Sequence, residues 1–108
     1  MPVITKKPLV EFWQKNARTE KELTKWYNIV VAAAWRNPAD VKVTFGPLAD
    51  FVQTNNGNPV IVFDAANNRC RLITAIHYLK NFPVKGRVYI LRVLTHDEYD
   101  LEHWKDEL

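Results

Sequence analysis

A run of positive charge in the second half of the chain is the first feature with chemical meaning. From Ala65 to His96 the sequence has no acidic residue and six basic ones, namely Arg69, Arg71, Lys80, Lys85, Arg87 and Arg92. A basic segment inside a folded domain creates a local field that attracts polyanions, nucleic acids among them. The alternative is a solvated sheet face that keeps the protein soluble, and the charges alone leave both interpretations open.

Three side chains in or next to this region are suited to chemistry on a phosphate-containing ligand. His96 is the natural proton-transfer group, because histidine exchanges protons near neutral pH. Arg71 offers a planar, permanently charged fork for phosphate oxygens. Tyr99, three residues beyond His96, is suited to stack on a base or to hydrogen-bond a phosphate. Each has an ordinary alternative: His96 as a helix cap, Tyr99 as a core ring, and the arginines as partners of the acidic tail, residues 97–108, which has six acids and one lysine.

Neither a metal site nor a cofactor site is expected. No set of His, Cys, Asp and Glu has the spacing of metal ligands, and the sequence has no glycine-rich phosphate loop. The single Cys70 excludes an internal disulfide and is interpreted as a small core residue. These absences argue against a nucleotide-dependent enzyme.

Size and composition indicate one globular domain, residues 1–108, of which 47% are hydrophobic. No apolar run approaches the roughly 20 residues that a membrane helix needs. The N-terminus lacks the basic-then-apolar order of a signal peptide. We therefore expect a cytoplasmic protein with no membrane contact.

Hydrophobic spacing predicts helices in the first half of the chain. A first helix begins near Pro8 and breaks at residues 16–18. Thr19 and Glu22 have the spacing of a capping box, which would start a second helix from about Glu20 to Asn37. The apolar end of that helix, residues 29–35, should be buried on more than one side. Residues 40–45 are ambiguous between a short helix and an extended segment.

Sequence patterns also predict strands, most of them in the second half of the chain. A short edge strand at residues 2–5 is followed much later by strands at 60–63, 69 to about 79, and 87–94, with turns at 67–68 and 81–86. The tail is expected to form a last helical turn or two. The order predicts an α+β fold, with N-terminal helices packed on one face of a small, mainly antiparallel sheet.

Alternation along these strands predicts what the other face of the sheet presents. In one strand, Cys70, Leu72, Ile76 and Tyr78 should point one way and Arg69, Arg71 and His77 the other. In the next strand, Tyr89, Leu91 and Val93 should share one face, with Arg92 and His96 opposite. If helices cover the apolar faces, Arg71, Arg92 and His96 line an open cationic surface.

In the order of its residues the chain resembles the HigB-type toxins of bacterial type II toxin–antitoxin systems, within the RelE-like superfamily. The resemblance covers about residues 8–100. It is carried by Phe12-Trp13, Trp26-Tyr27, Trp35, the segments 38–42, 62–64 and 68–73, and Val88-Tyr89-Ile90, and above all by Thr95-His96-Asp97-Glu98-Tyr99-Asp100. The chain departs from that family in two ways. Cys70 and Phe45 stand where tyrosines are expected, and the turn at 79–87 is longer than expected.

The resemblance implies a RelE-like fold and ribosome-dependent cleavage of mRNA without a metal. It also implies a cognate HigA-type helix-turn-helix antitoxin, with operator DNA bound only through the antitoxin complex. Cleavage of this kind uses the 2′-hydroxyl as nucleophile, so it needs proton transfer and charge neutralisation at phosphorus.

On this basis we predict His96, Arg71 and Tyr99 as catalytic residues and Lys42, Arg69 and Arg92 as ligands of the RNA backbone. The competing interpretations are a non-catalytic module that binds RNA or the ribosome and a protein-interaction domain, each using the same basic sheet face.

Overall fold

In the computed structural model, which describes residues 1–67, 69–78 and 86–108, helices and strands follow in the predicted order. The strands are β1 (Val3–Ile4), β2 (Ala49–Gln53), β3 (Pro59–Ala65), β4 (Cys70–His77) and β5 (Arg87–Thr95). The helices are α1 (Lys7–Lys15), α2 (Glu20–Ala32), α3 (Pro38–Phe45), α4 (His96–Asp100) and α5 (Trp104–Glu107). Single 3-10 turns lie at Ala17–Thr19 and Gly46–Leu48.

The strands form one sheet in the order β1-β5-β4-β3-β2. Strand β1 runs parallel to β5, and the other neighbours are antiparallel. The predicted α+β class, with an N-terminal edge strand and a mainly antiparallel sheet, is confirmed. Strand β2 was missed: Ala49–Gln53 alternates weakly, and only pairing with β3 identifies it as a strand.

Each face of the sheet has its own core. Helices α1–α3 pack on one face, where Phe63 is fully buried and Trp26 contacts its ring edge-on at 5.4 Å between centroids. On the other face Val62 and Ile73 pack against Trp104 of α5. The N-terminal helices thus cover one face as predicted, and the C-terminal helices cover part of the opposite one.

Helix α2 ends five residues before the predicted Asn37. Ala33 is extended, and the chain turns so that Trp35 is buried against Phe63, with its indole N–H donating to Thr44 Oγ1 at 2.9 Å. The carbonyls freed at the end of α2 are not orphaned, because the Met1 amino group donates to those of Val30, Val31 and Ala33. The prediction that residues 29–35 are buried on more than one side is also wrong, since Val31 is 45% exposed.

The predicted capping box at Thr19 does not form, because the Thr19 hydroxyl donates to the Asn16 carbonyl at 2.7 Å. The ambiguous segment at 40–45 is helical. Helix α3 begins at Pro38, and the Asn37 side chain accepts from the Asp40 amide at 3.0 Å.

Strand alternation was predicted correctly for β4 but not for β5. Ile73 pairs with Arg92 while Thr74 pairs with Ile90, so Leu91 is the extra residue of a β-bulge. Leu91 therefore packs with the C-terminal helices and Val93 with the N-terminal ones, although both were predicted on one face.

Some predictions lie wholly or partly outside the described residues: the turns at 67–68 and 81–86, the end of a strand at Leu79, and the longer connection at 79–87. Within the described ranges, no helix is both long and apolar enough to span a bilayer.

Candidate active site

The end of β5 places His96 beside β4. Thr95 pairs with Cys70 across the two strands, and its hydroxyl accepts from the Glu98 amide at 3.2 Å while the Glu98 carboxylate accepts from the Thr95 amide at 3.0 Å. This capping box starts α4 at His96. Thr95, not His96, is the cap, so the imidazole is left to point toward neighbouring side chains.

Four polar side chains form a continuous chain of contacts at this point. Asp64 Oδ1 lies 2.8 Å from Arg71 Nε, and Arg71 Nη2 lies 3.0 Å from His96 Nδ1. His96 Nε2 in turn lies 3.1 Å from Asp100 Oδ2. Together with Tyr99, we refer to these residues as the site cluster.

The contacts define the protonation of the imidazole. A guanidinium only donates hydrogen bonds, so His96 Nδ1 accepts from Arg71 and carries no proton in this arrangement. Nε2 then carries the proton and donates to Asp100. Both ring nitrogens are thereby oriented, one by a cation and one by a carboxylate.

Arg71 is held more tightly than an RNA-binding surface arginine would be. It is the cross-strand partner of Asp64, its side chain is 9% exposed, and Nη1 donates to the Cys70 carbonyl at 3.3 Å. The pair fixes geometry, because losing Asp64 would leave the guanidinium charge in a poorly solvated position.

Tyr99 lies between the tail and the site cluster. Its ring stacks on Trp104 at 5.2 Å between centroids, and the Arg71 guanidinium carbon lies 5.5 Å from the centre of the Tyr99 ring. With both neighbours in place, the ring has less room to stack on a base than the sequence suggested. Burial raises the pKa of Tyr99, and the nearby Asp50 raises it further, so the phenol stays protonated at neutral pH and is able to donate a hydrogen bond.

The predicted RNA ligands are dispersed. Arg92 lies on the face of the sheet that bears the site cluster, where it pairs with Glu107 at 3.5 Å. Arg69 lines a cleft with Thr95, directly before His96. Lys42 lies at the end of α3, where Nζ donates to the carbonyls of Gly46 and Ala49, and it contacts none of the site cluster. The cations therefore do not form one open surface: Arg92 pairs with the acidic tail, whereas Arg71 pairs with Asp64.

Cys70 is fully buried at the start of β4, and burial raises its pKa to about 11. A thiol of this kind is protonated and shielded, which fits the interpretation of Cys70 as a small core residue. Among the described residues, no three His, Cys, Asp or Glu side chains gather as a metal centre would require.

Two members of the site cluster, Asp64 and Asp100, are not among the predicted site residues. Asp64 is an acid directly after the apolar run Val60–Phe63, a position that calls for a buried partner. Asp100 follows His96 by four residues, the spacing at which helical side chains meet, so the sequence allowed it either to orient His96 or to cap a helix. Both signals were present in the sequence.

Comparison with known proteins gives consistent relationships. The model of a family described as HigB toxin, the RelE-like toxic component of a toxin–antitoxin system, matches residues 19–102. The mRNA interferase toxin HigB of Escherichia coli K12 is 26% identical over 100 residues, which is 93% of this chain and 88% of that protein. Proteins named mRNA interferase HigB from Escherichia coli O157:H7 and Shigella flexneri match with the same identity and coverage.

Proposed function

The chain belongs to the HigB toxin family of RelE-like toxins, as its residues had suggested, and we propose that it is a metal-independent endoribonuclease that cuts mRNA on the ribosome. Cutting messages in this way inhibits translation and growth. Relatives named mRNA interferases support the reaction class.

The observation that carries the proposal is the contact chain that joins His96 to Arg71 and Asp100. RNA cleavage by the 2′-hydroxyl needs a group that removes its proton and positive charge near the phosphorane. The site cluster brings both kinds of group within hydrogen-bond distance of each other, on rigid strands and a capped helix.

In the proposed mechanism the RNA phosphate attracts the Arg71 guanidinium, which frees His96 Nδ1 from its contact with Nη2. His96 Nδ1 then takes the proton of the 2′-hydroxyl as that oxygen attacks phosphorus. Asp100, at 3.1 Å from Nε2, stabilises the imidazolium that forms. Tyr99 donates a hydrogen bond to a non-bridging phosphate oxygen, and the departing 5′-oxygen takes a proton from water. Positive charge and proton transfer are thus supplied by the chain itself, which is why we propose that no metal takes part.

Lys42, Arg69 and Arg92 are proposed to hold the RNA backbone, which they contact through charge and without reading sequence. Arg92 is bound to Glu107 through one exposed ion pair, which is weak in water and which a phosphate replaces at little cost. The toxin is proposed to act in the cytoplasm and to be neutralised by a cognate HigA-type helix-turn-helix antitoxin, with operator DNA bound only through the complex of the two proteins.

The test is mRNA integrity after induction of the chain in a bacterium, mapped by primer extension, alongside His96→Gln and the matched control His103→Gln. We expect in-frame breaks within translated regions for the parent and for His103→Gln, and none for His96→Gln. His103 is exposed and lies outside the site cluster. Intact messages with the well-expressed parent would refute the nuclease and favour a binding module.

A cell-free translation reaction separates the finer claims. Cleavage of a purified message by the toxin alone would contradict ribosome dependence. Toxin pretreated with a strong chelator and returned to Mg²⁺-containing ribosomes is expected to cut as before. Loss of cutting that Zn²⁺ or Mn²⁺ restores would contradict metal independence.

A further inference from the structure

A second basic feature lies beside the site cluster, between the N-terminal helices and the ends of β4 and β5. A cleft forms where α1 ends and the 3-10 turn Ala17–Thr19 approaches the start of β4. Its polar lining includes Lys15, Arg18, Arg69 and Thr95. We refer to it as the basic cleft.

All the charged residues that line the basic cleft are positive. Its lining has three cations and no carboxylate among the described residues. Lys15, Arg18 and Arg69 are exposed, and within the described ranges none of them forms an ion pair. The neighbouring Glu98 directs its carboxylate to the Thr95 amide. Three cations that share a concave surface without a counter-ion repel each other, and an anion relieves that repulsion.

The rim of the cleft is structured. Thr19 is buried and its hydroxyl donates to the Asn16 carbonyl, which fixes the turn that bears Arg18. Phe12 is buried beneath the same turn. The positions of the cations on the backbone are therefore set before any ligand arrives, which lowers the cost of binding.

Its position links the cleft to the site cluster. Thr95 precedes His96 directly, and Arg69 is two residues before Arg71, so the two features are neighbours on the same strand ends. We propose that the basic cleft binds phosphodiester groups of an RNA strand beside the one at the site cluster, with Arg18 and Arg69 gripping oxygens and Lys15 adding charge. The proposal rests on RNA being the ligand of the site cluster.

The two sources of such phosphates are the message and ribosomal RNA. The first arm of the test measures binding of a 2′-O-methyl oligoribonucleotide, which lacks the nucleophile, by fluorescence anisotropy across a series of salt concentrations. The second arm measures co-sedimentation with ribosomes that carry no message, across the same series of salt concentrations. The variant is Lys15→Gln/Arg18→Gln, and the control is Lys7→Gln/Arg36→Gln, which removes the same charge from exposed positions outside the cleft.

For the cleft variant we expect the magnitude of the slope of log affinity against log salt to fall by about 1.4, or roughly 0.7 for each of the two single-strand phosphate charges that Arg18 and Lys15 neutralise, with no change of base preference. The control should keep the parental slope. A fall in the first arm assigns the message, and a fall only in the second assigns ribosomal RNA.

Equal slopes for variant and control in both arms would overturn the proposal. Circular dichroism of both variants checks that the overall fold is intact. If the parent binds RNA through the cleft but cuts no message, the proposed nuclease fails and the cleft remains.

Discussion

Replacing Asp64 by Asn tests whether the ion pair with Arg71 holds the site cluster together. The substitution keeps the shape of the side chain and removes its charge, leaving a guanidinium whose side chain is 9% exposed without its carboxylate. Hydrogen bonds to charged groups contribute about 1.5–3 kcal/mol, and partial exposure of Asp64 reduces the effect. We expect the free energy of unfolding to fall by about 2 kcal/mol, which lowers Tm by roughly 10 °C in a domain of this size.

The measurement is urea denaturation followed by tryptophan fluorescence. The matched control is Asp50→Asn, the same change at an exposed position of the neighbouring strand β2, where the expected effect is within about 0.5 kcal/mol. Equal losses for the two variants would refute the argument that this pair is sheltered and stabilising.

The same variant separates a positioning role from a purely structural one. Well below its Tm, Asp64→Asn should cut RNA at least about tenfold more slowly, because Arg71 no longer holds the imidazole in place. Long-range ¹H–¹⁵N spectra of His96 should lose the single neutral tautomer with its proton on Nε2. A destabilised protein with unchanged cleavage and an unchanged His96 spectrum would leave Asp64 with a structural role only.

Two further predictions concern the cores. Trp104→Ala should cost about 3–5 kcal/mol, because it removes a buried ring that packs on Tyr99, whereas Leu101→Ala, at a position 64% exposed, should cost little; similar losses in urea denaturation would contradict the second core. Burial raises the pKa of Cys70 to about 11, while an unfolded thiol ionises at about pH 8.5. The contribution of the buried thiol to the free energy of unfolding is therefore complete below about pH 8.5 and is lost as the pH rises toward 11. Unfolding between about pH 8.5 and 11 should therefore depend less on pH in Cys70→Ala than in the parent, and equal pH slopes would refute this.

The fold was predicted where a local pattern decides the structure. The helix after Pro8 and the strands at 60–63 and 87–94 follow from hydrophobic periodicity, and they appear with shifts of a few residues. Strand β2 and the early end of α2 did not follow, because both depend on distant partners: β3 for one, and the burial of Trp35 against Phe63 for the other.

The sequence spacing of a capping box did not by itself show whether the motif forms. Both Thr19-Glu22 and Thr95-Glu98 have the spacing of a capping box, but only the second forms one. The preceding 3-10 turn gives the Thr19 hydroxyl a nearer acceptor, the Asn16 carbonyl. Thr95 leaves an extended strand, so its hydroxyl faces the amides of the new helix.

For the site, the sequence predicted residues but not their partners. It predicted Arg71, His96 and Tyr99 as site residues, and in the fold Arg71 contacts both His96 and Tyr99. Their catalytic roles stay predictions. It placed no partner on Asp64, because cross-strand pairing depends on register, and register is set by the whole sheet.

The acidic tail explains why the basic segment does not form the open cationic surface that alternation suggested. Trp104 anchors the tail on the sheet, and Glu107 pairs with Arg92 there. The same tail begins with α4, which presents His96 to Arg71 and supplies Asp100 to the other side of the ring. A segment that neutralises part of the basic face is therefore also the one that completes the site cluster. Among the described residues, Lys15, Arg18 and Arg69 have no carboxylate partner, and no carboxylate lines the basic cleft that they share, so an arriving polyanion meets no competing carboxylate in that lining.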